Sequence, residues 1–133
     1  MEWKKEYEHG ILWQDVQHHQ LLDQINELIR LVVSEERDEK GFNKVVNFVI
    51  QYCNNHFKIE EAYMTSHGYP RAKNHIAAHH QFIRDMKKLL SMEGENNKEK
   101  SQELLSSLME WFVTHVLETD KYLAQFILKH KVS

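Results

Sequence analysis

The chain has 133 residues, 41% hydrophobic and 28% charged, and a net charge of −3 with its histidines neutral. That length suits a single domain over 1–133 able to bury a core. The interspersed charges leave no basic patch for nucleic acid, and no apolar run nears the roughly 20 residues that span a bilayer. Met1 is followed by Glu2, Trp3, Lys4, Lys5 and Glu6, so no signal peptide is expected. The single cysteine, Cys53, cannot form an internal disulfide, which fits a reducing compartment. With one proline and four glycines, the composition predicts a cytoplasmic, all-α protein.

Residues 1–14 are expected to form an extended N-terminal arm interrupted by Gly10, with Trp3, Tyr7 and Trp13 capping the helices. Asp15 is the expected N-cap of a first helix over about 16–36. Its apolar stripe is His18, Leu21/Leu22, Ile25, Leu28/Ile29 and Val32/Val33. A second helix over about 41–65 carries Phe42, Val45/Val46, Val49, Tyr52/Cys53, His56, Glu60 and Tyr63/Met64 on one face. Gly68 and Pro70 mark a turn. A third helix over about 71–91 has the stripe His75, Ala78/His79, Phe82, Met86 and Leu89/Leu90. A polar linker over 93–97 leads to a fourth helix over about 98–129, with Leu104/Leu105, Leu108, Trp111/Phe112, His115, Thr119, Tyr122/Leu123 and Phe126. Four amphipathic helices with short connections predict an up-down-up-down antiparallel four-helix bundle.

Ten histidines are many for a chain of this length. Five fall on apolar stripes: His18, His56, His75, His79 and His115. The other five, His9, His19, His67, His80 and His130, read as surface residues. Antiparallel neighbours meet when they lie equally far from their connecting loop. His18 and the His56/Glu60 pair have their midpoint near residue 38, inside the first connection. His56/Glu60 and His75/His79 have theirs near residue 67, at the Gly-Pro turn. His75/His79 and the 115–120 segment have theirs near residue 97, in the polar linker. All five stripe histidines therefore fall in one layer, together with Glu60. Neutral imidazoles and a carboxylate buried without partners would cost several kcal/mol, so the layer reads as a metal site. Glu118 and Asp120 both follow His115, and periodicity does not choose between them. Asp120 lies about 140° around an ideal α-helix from His115. If it is a ligand, the helix must widen locally, as in a π-turn.

Five imidazoles and two carboxylates without a thiolate do not suit a four-ligand structural zinc site, nor calcium or magnesium, which take mostly oxygen. Imidazole with carboxylate suits iron, and seven ligands suit two ions. With both carboxylates and one oxygen bridging, eleven of twelve octahedral positions are filled and one stays open. His75, His79 and His115 would fill one iron, leaving His18 and His56 with the vacancy. Leu21, Leu22, Phe57, Trp111 and Phe112 are the expected apolar walls of that pocket. Cys53 is expected as a small buried core residue, and Glu61 is expected to face solvent.

The residues that carry this site resemble the hemerythrins, in particular the single-domain bacterial ones (bacteriohemerythrins). The matching pieces are Asp15-Val16-Gln17-His18, the run His56 to Glu61, and Tyr69-Pro70 followed by His75, His79 and Phe82. The last is Trp111-Phe112 followed by His115 and Asp120. A lone His-x3-Glu or His-x3-His is a weak signal, but the ordered set is specific. The resemblance implies Asp120 rather than Glu118 as the second bridging carboxylate. It also implies reversible O2 binding at a di-iron centre with a bridging oxo or hydroxo group, O2 being held as hydroperoxide at the five-coordinate iron. Carriage or storage of O2 by a monomer is the first reading, with an O2-consuming enzyme or a reductase as partner. An O2 or redox sensor is the second. A di-iron oxidase or peroxidase, or iron storage, fits a set rich in histidine and poor in glutamate less well.

Overall fold

The structure, a computed structural model, describes residues 1–36, 38–91 and 97–130. A short 3-10 turn, Lys5–Tyr7, is followed by α1 (Leu12–Val33), α2 (Glu39–His67), α3 (Ala72–Ser91) and α4 (Asn97–Trp111). A π-helical segment, Phe112–Thr119, then leads without a break into α5 (Asp120–Lys129). The predicted linker falls outside the described residues up to Asn97, where α4 begins. α1 packs on α2 and α4, and α3 on α2 and α4, so the helices close a four-membered ring. This is the predicted four-helix bundle. Among the described residues no helix is long and apolar enough to cross a membrane.

Local chemistry explains both ends of α2. Asp38 caps α2 by accepting from the Gly41 amide at 2.8 Å. Gly68 closes the same helix in the left-handed region, φ 61°, where a glycine costs least. The first helix differs from expectation. It begins at Leu12 with Ile11 as its cap residue, four residues before the predicted start. The Asp15 carboxylate is not a cap. It accepts the amides of His9 at 2.7 Å and Gly10 at 3.1 Å, pinning the arm back onto the helix. Gly10 sits at φ 90°, so the arm turns there without a β-carbon.

Two apolar clusters stack along the bundle. The larger includes Leu21, Leu22, Ile25, Leu28, Val45, Val49, Phe57, Leu104, Leu108 and Phe112, with Trp3 and Tyr7 of the arm packed against it. The smaller joins Ile11, Met64, Tyr69, Leu123, Ala124 and Ile127, with Trp13 against it. The buried polar residues of the histidine layer belong to neither cluster.

Candidate metal centre

The last corner of the layer depends on the π-helical segment. The amide of Asp120 bonds to the carbonyl of His115, five residues back. In that wider turn the fifth residue returns to nearly the same face. Asp120 is therefore wholly buried beside the buried His115, while Glu118 is exposed. The local widening anticipated for an Asp120 ligand is present.

His18 comes from α1, His56 and Glu60 from α2, His75 and His79 from α3, His115 from the π segment and Asp120 from the start of α5. All seven are buried. They form two groups sharing both carboxylates: His75, His79, His115, Glu60 and Asp120 in one, His18, His56, Glu60 and Asp120 in the other. Within each group the candidate ligand atoms lie within 4.8 Å of one another. Asp120 faces both groups. Its Oδ1 is 3.0 Å from Nε2 of both His75 and His115, and its Oδ2 is 2.8 Å from Nε2 of His18 and 3.6 Å from that of His56. Glu60 Oε1 lies 3.1 Å from His79 Nε2 and 3.4 Å from those of His56 and His75.

Protein atoms alone do not satisfy this layer. Nε2 of His56, His75, His79 and His115, Oε1 of Glu60 and Oδ1 of Asp120 are buried and have no hydrogen-bond partner. Several such atoms facing one another would be costly, and cations among them would satisfy them together. Nδ1 of His18 and of His75 also lack partners. Burial and the Asp120 charge push the Glu60 carboxyl up, yet the imidazoles of His56 and His75 outweigh them and hold it well below the usual range. Burial pushes Asp120 up likewise, and His115, His18 and His56 hold it well below. Burial pulls His56 and His75 down, but the facing carboxylates raise them to about 10 and about 9. His115 is lowered, chiefly by burial. Two depressed carboxylates thus face two raised imidazoles, whose protons offset part of the carboxylate charge.

Several residues that hold the ligands are not apparent from the sequence. Gln17 Oε1 accepts from His56 Nδ1, and Glu61 Oε2 accepts from His79 Nδ1 at 3.0 Å. Each leaves Nε2 free to face the cluster. Glu61 does not simply face solvent, as expected; its backbone position one residue past Glu60 brings its carboxylate beside α3, at 30% side-chain exposure. Gln14, wholly buried, donates to Glu60 Oε2 at 3.0 Å. His9, expected at the surface, is half-buried beside it because the arm folds back at Gly10. Rings cover the outer faces of the imidazoles. Phe57 stacks on His79 at 3.9 Å, Trp111 on His115 at 3.7 Å and Tyr52 on His56 at 4.7 Å between centroids. Leu21, Leu22 and Phe112 are buried in the same core as Phe57 and Trp111. Cys53 is partly buried against it.

A four-helix bundle with a buried layer of histidines and two carboxylates is a metal-binding protein. The family model of the hemerythrin HHE cation binding domain matches residues 9–127. A bacteriohemerythrin from Clostridium acetobutylicum is 30% identical over 123 residues, 90% of this chain and 95% of that one. One from Stenotrophomonas maltophilia is 27% identical, covering 96% of this chain and 82% of its own, and one from Pseudomonas aeruginosa is 25% identical, covering 89% and 75%. The chain belongs to the hemerythrin family.

Proposed function

We propose that the chain holds two iron ions and binds O2 reversibly, as a carrier or store rather than as an enzyme. The observation that carries this reading is the split of one buried layer into a three-histidine and a two-histidine group sharing Glu60 and Asp120. His75, His79 and His115 would hold one iron and His18 and His56 the other, with the two carboxylates between them. The unequal counts would leave the open position in the two-histidine group. When bound, the iron pair supplies a redox-active centre that takes up O2 and gives it back.

The protein's own contribution is positioning and exclusion. Gln17 and Glu61 fix the tautomers of His56 and His79, so that Nε2 is presented to the metal. Leu21, Leu22, Phe57 and Phe112, at 0–1% exposure, and Trp111, at 8%, wall the layer off from water. A dry surround disfavours loss of a charged oxygen species and supports release of O2 unchanged.

The test is the visible spectrum of anaerobically reduced, iron-loaded protein as O2 is admitted and then removed. A charge-transfer band that appears and then vanishes, with recovery of the reduced form, is the expected result. A band that decays to the oxidised form without recovery overturns carriage and favours the sensor reading. Iron that binds at one ion per chain overturns the paired site.

A further inference from the structure

Gln14 is a buried amide side chain that touches a carboxylate of the cluster. Its Nε2 donates to Glu60 Oε2 at 3.0 Å and to the backbone carbonyl of Asp120 at 3.2 Å. Both partners are pure acceptors, so the amide can face them only with its NH2 group. Its Oε1 is thereby turned toward His9 Nδ1, 3.2 Å away, which must be the donor. His9 is held in turn by its backbone amide on Asp15 and by its ring against that of His18, 5.4 Å between centroids. An unbroken chain of contacts therefore runs from the arm, through one buried amide, to the carboxylate shared by both metal groups.

We infer that Gln14 is a positioning residue for Glu60, and that His9 keeps it in place, so that seating of the N-terminal arm and binding at the metal pair are coupled. This rests on the metal-site reading but not on O2 binding. The NH2 donor orients the carboxylate and withdraws charge from Oε2, while Oε1, which has no hydrogen bond, faces the imidazoles. Without the donor the carboxylate is free to rotate and is more basic. The lost orientation weakens metal binding, and the greater basicity favours the higher oxidation state and so lowers the reduction potential. Coupling works in both directions: whatever favours metal binding must favour arm seating by the same factor.

The experiment uses the full chain with Co2+, whose affinity is read by competition with a chelator and which needs no O2 chemistry. Gln14→Met keeps length and removes the donor. Its Co2+ affinity is expected to fall about tenfold to a hundredfold. His9→Phe, which keeps a ring beside His18, is expected to lower it by a smaller factor, and His9→Gln, which keeps a donor, to restore most of it. His9→Phe added to Gln14→Met should change nothing further. In the parent, Co2+ should slow tryptic cleavage after Lys4 and Lys5, both on the arm; in Gln14→Met that protection should disappear. The iron-loaded Gln14→Met protein should show a lower midpoint potential, a change that loss of packing alone would not direct. Parent-like Co2+ affinity in Gln14→Met, or independent additive effects of the two substitutions, would overturn the inference. Should Gln14→Met not fold, the His9→Phe and His9→Gln pair still decides it, since equal affinities in those two would mean that the donor at residue 9 is irrelevant. Failure of O2 binding leaves all of these readings intact.

Discussion

The two groups of the layer share Glu60 and Asp120 but rest on packing and hydrogen bonding in different proportions. In the three-histidine group two of the three imidazoles are covered by rings of the large core, Phe57 lying parallel on His79 and Trp111 on His115, and Glu61 adds a hydrogen bond to His79. In the two-histidine group Tyr52 stacks on His56 at a longer 4.7 Å, and amides add to it: Gln17 on His56, and Gln14 on Glu60 with the arm behind it. One side is fixed by close packing, which resists change. The other rests more on hydrogen bonds from α1, one of which leads through Gln14 to His9 of the arm. The arm also meets the two-histidine group directly, where the His9 ring packs against that of His18.

The carboxylates are where the comparison breaks most completely. Glu60→Ala or Asp120→Ala removes a member of both groups, so metal content measured after dialysis should fall from two ions per chain to nearly none. His18→Ala touches one group and should leave one ion. In the metal-free chain, Glu60→Ala also leaves His56 and His75 with Asp120 alone as their opposing charge and should cost about 3–5 kcal/mol. One ion retained in Glu60→Ala would mean that the groups are not joined as described.

Packing and hydrogen bonding can be separated by stability. Phe57→Ala empties the ring site over His79, at 1% exposure in the core, and should destabilise the metal-free chain by about 3–5 kcal/mol. Gln17→Leu leaves the His56 Nδ1 donor unpaired and should cost less, about 1–3 kcal/mol. Chemical denaturation of both variants checks the order. Equal losses would erase the proposed difference between the two sides.

Proton binding tests the layer as a whole. His56 and His75 are raised from 6.5 to about 10 and about 9 in the folded chain. Their contribution to stability is fully present below pH 6.5 and is lost as pH rises through 9 to 10. His115, lowered by burial, and the depressed Glu60 and Asp120 act in the opposite direction, losing stability on acidification. The metal-free protein should therefore melt highest near pH 6.5 and fall toward pH 10. The metal-loaded protein should be flatter over that alkaline range, because metal replaces those protons. Parallel profiles for the two forms would show that protons do not occupy the metal positions.

The fold and the ligand layer are legible in the sequence because both are periodic. Helical spacing locates the stripes, and loop midpoints align His18, His56, His75, His79 and His115. The π-turn at Asp120 is legible as a conflict, since five residues do not fit an α-helical face. The start of α1 is not, because Asp15 serves the arm's amides instead of the helix. The supporting residues are also hidden. Gln14 lies one turn before His18 on the same face, a signal that could have marked it as buried. Nothing local says that its partner is Glu60, 46 positions away. Glu61 reaches His79 only because α2 and α3 pack side by side, and His9 reaches Gln14 only because the chain reverses at Gly10.

Cys53 offers the smallest and most local probe of the two-histidine side. It lies on α2 one turn before His56, and burial pushes its thiol from 9.0 up to about 12. Only the thiolate is alkylated, so at pH 8 three pH units translate into about a thousandfold less reactive species than in the unfolded chain. Iodoacetamide should modify the folded protein slowly and the denatured protein quickly, as monitored by mass spectrometry. Because Cys53 packs at the edge of the core rather than within it, local opening of α2 would expose it without global unfolding. Faster alkylation in His9→Phe than in the parent, with global stability unchanged, would show that the arm steadies this side. The same rate in both would confine the arm's influence to Glu60.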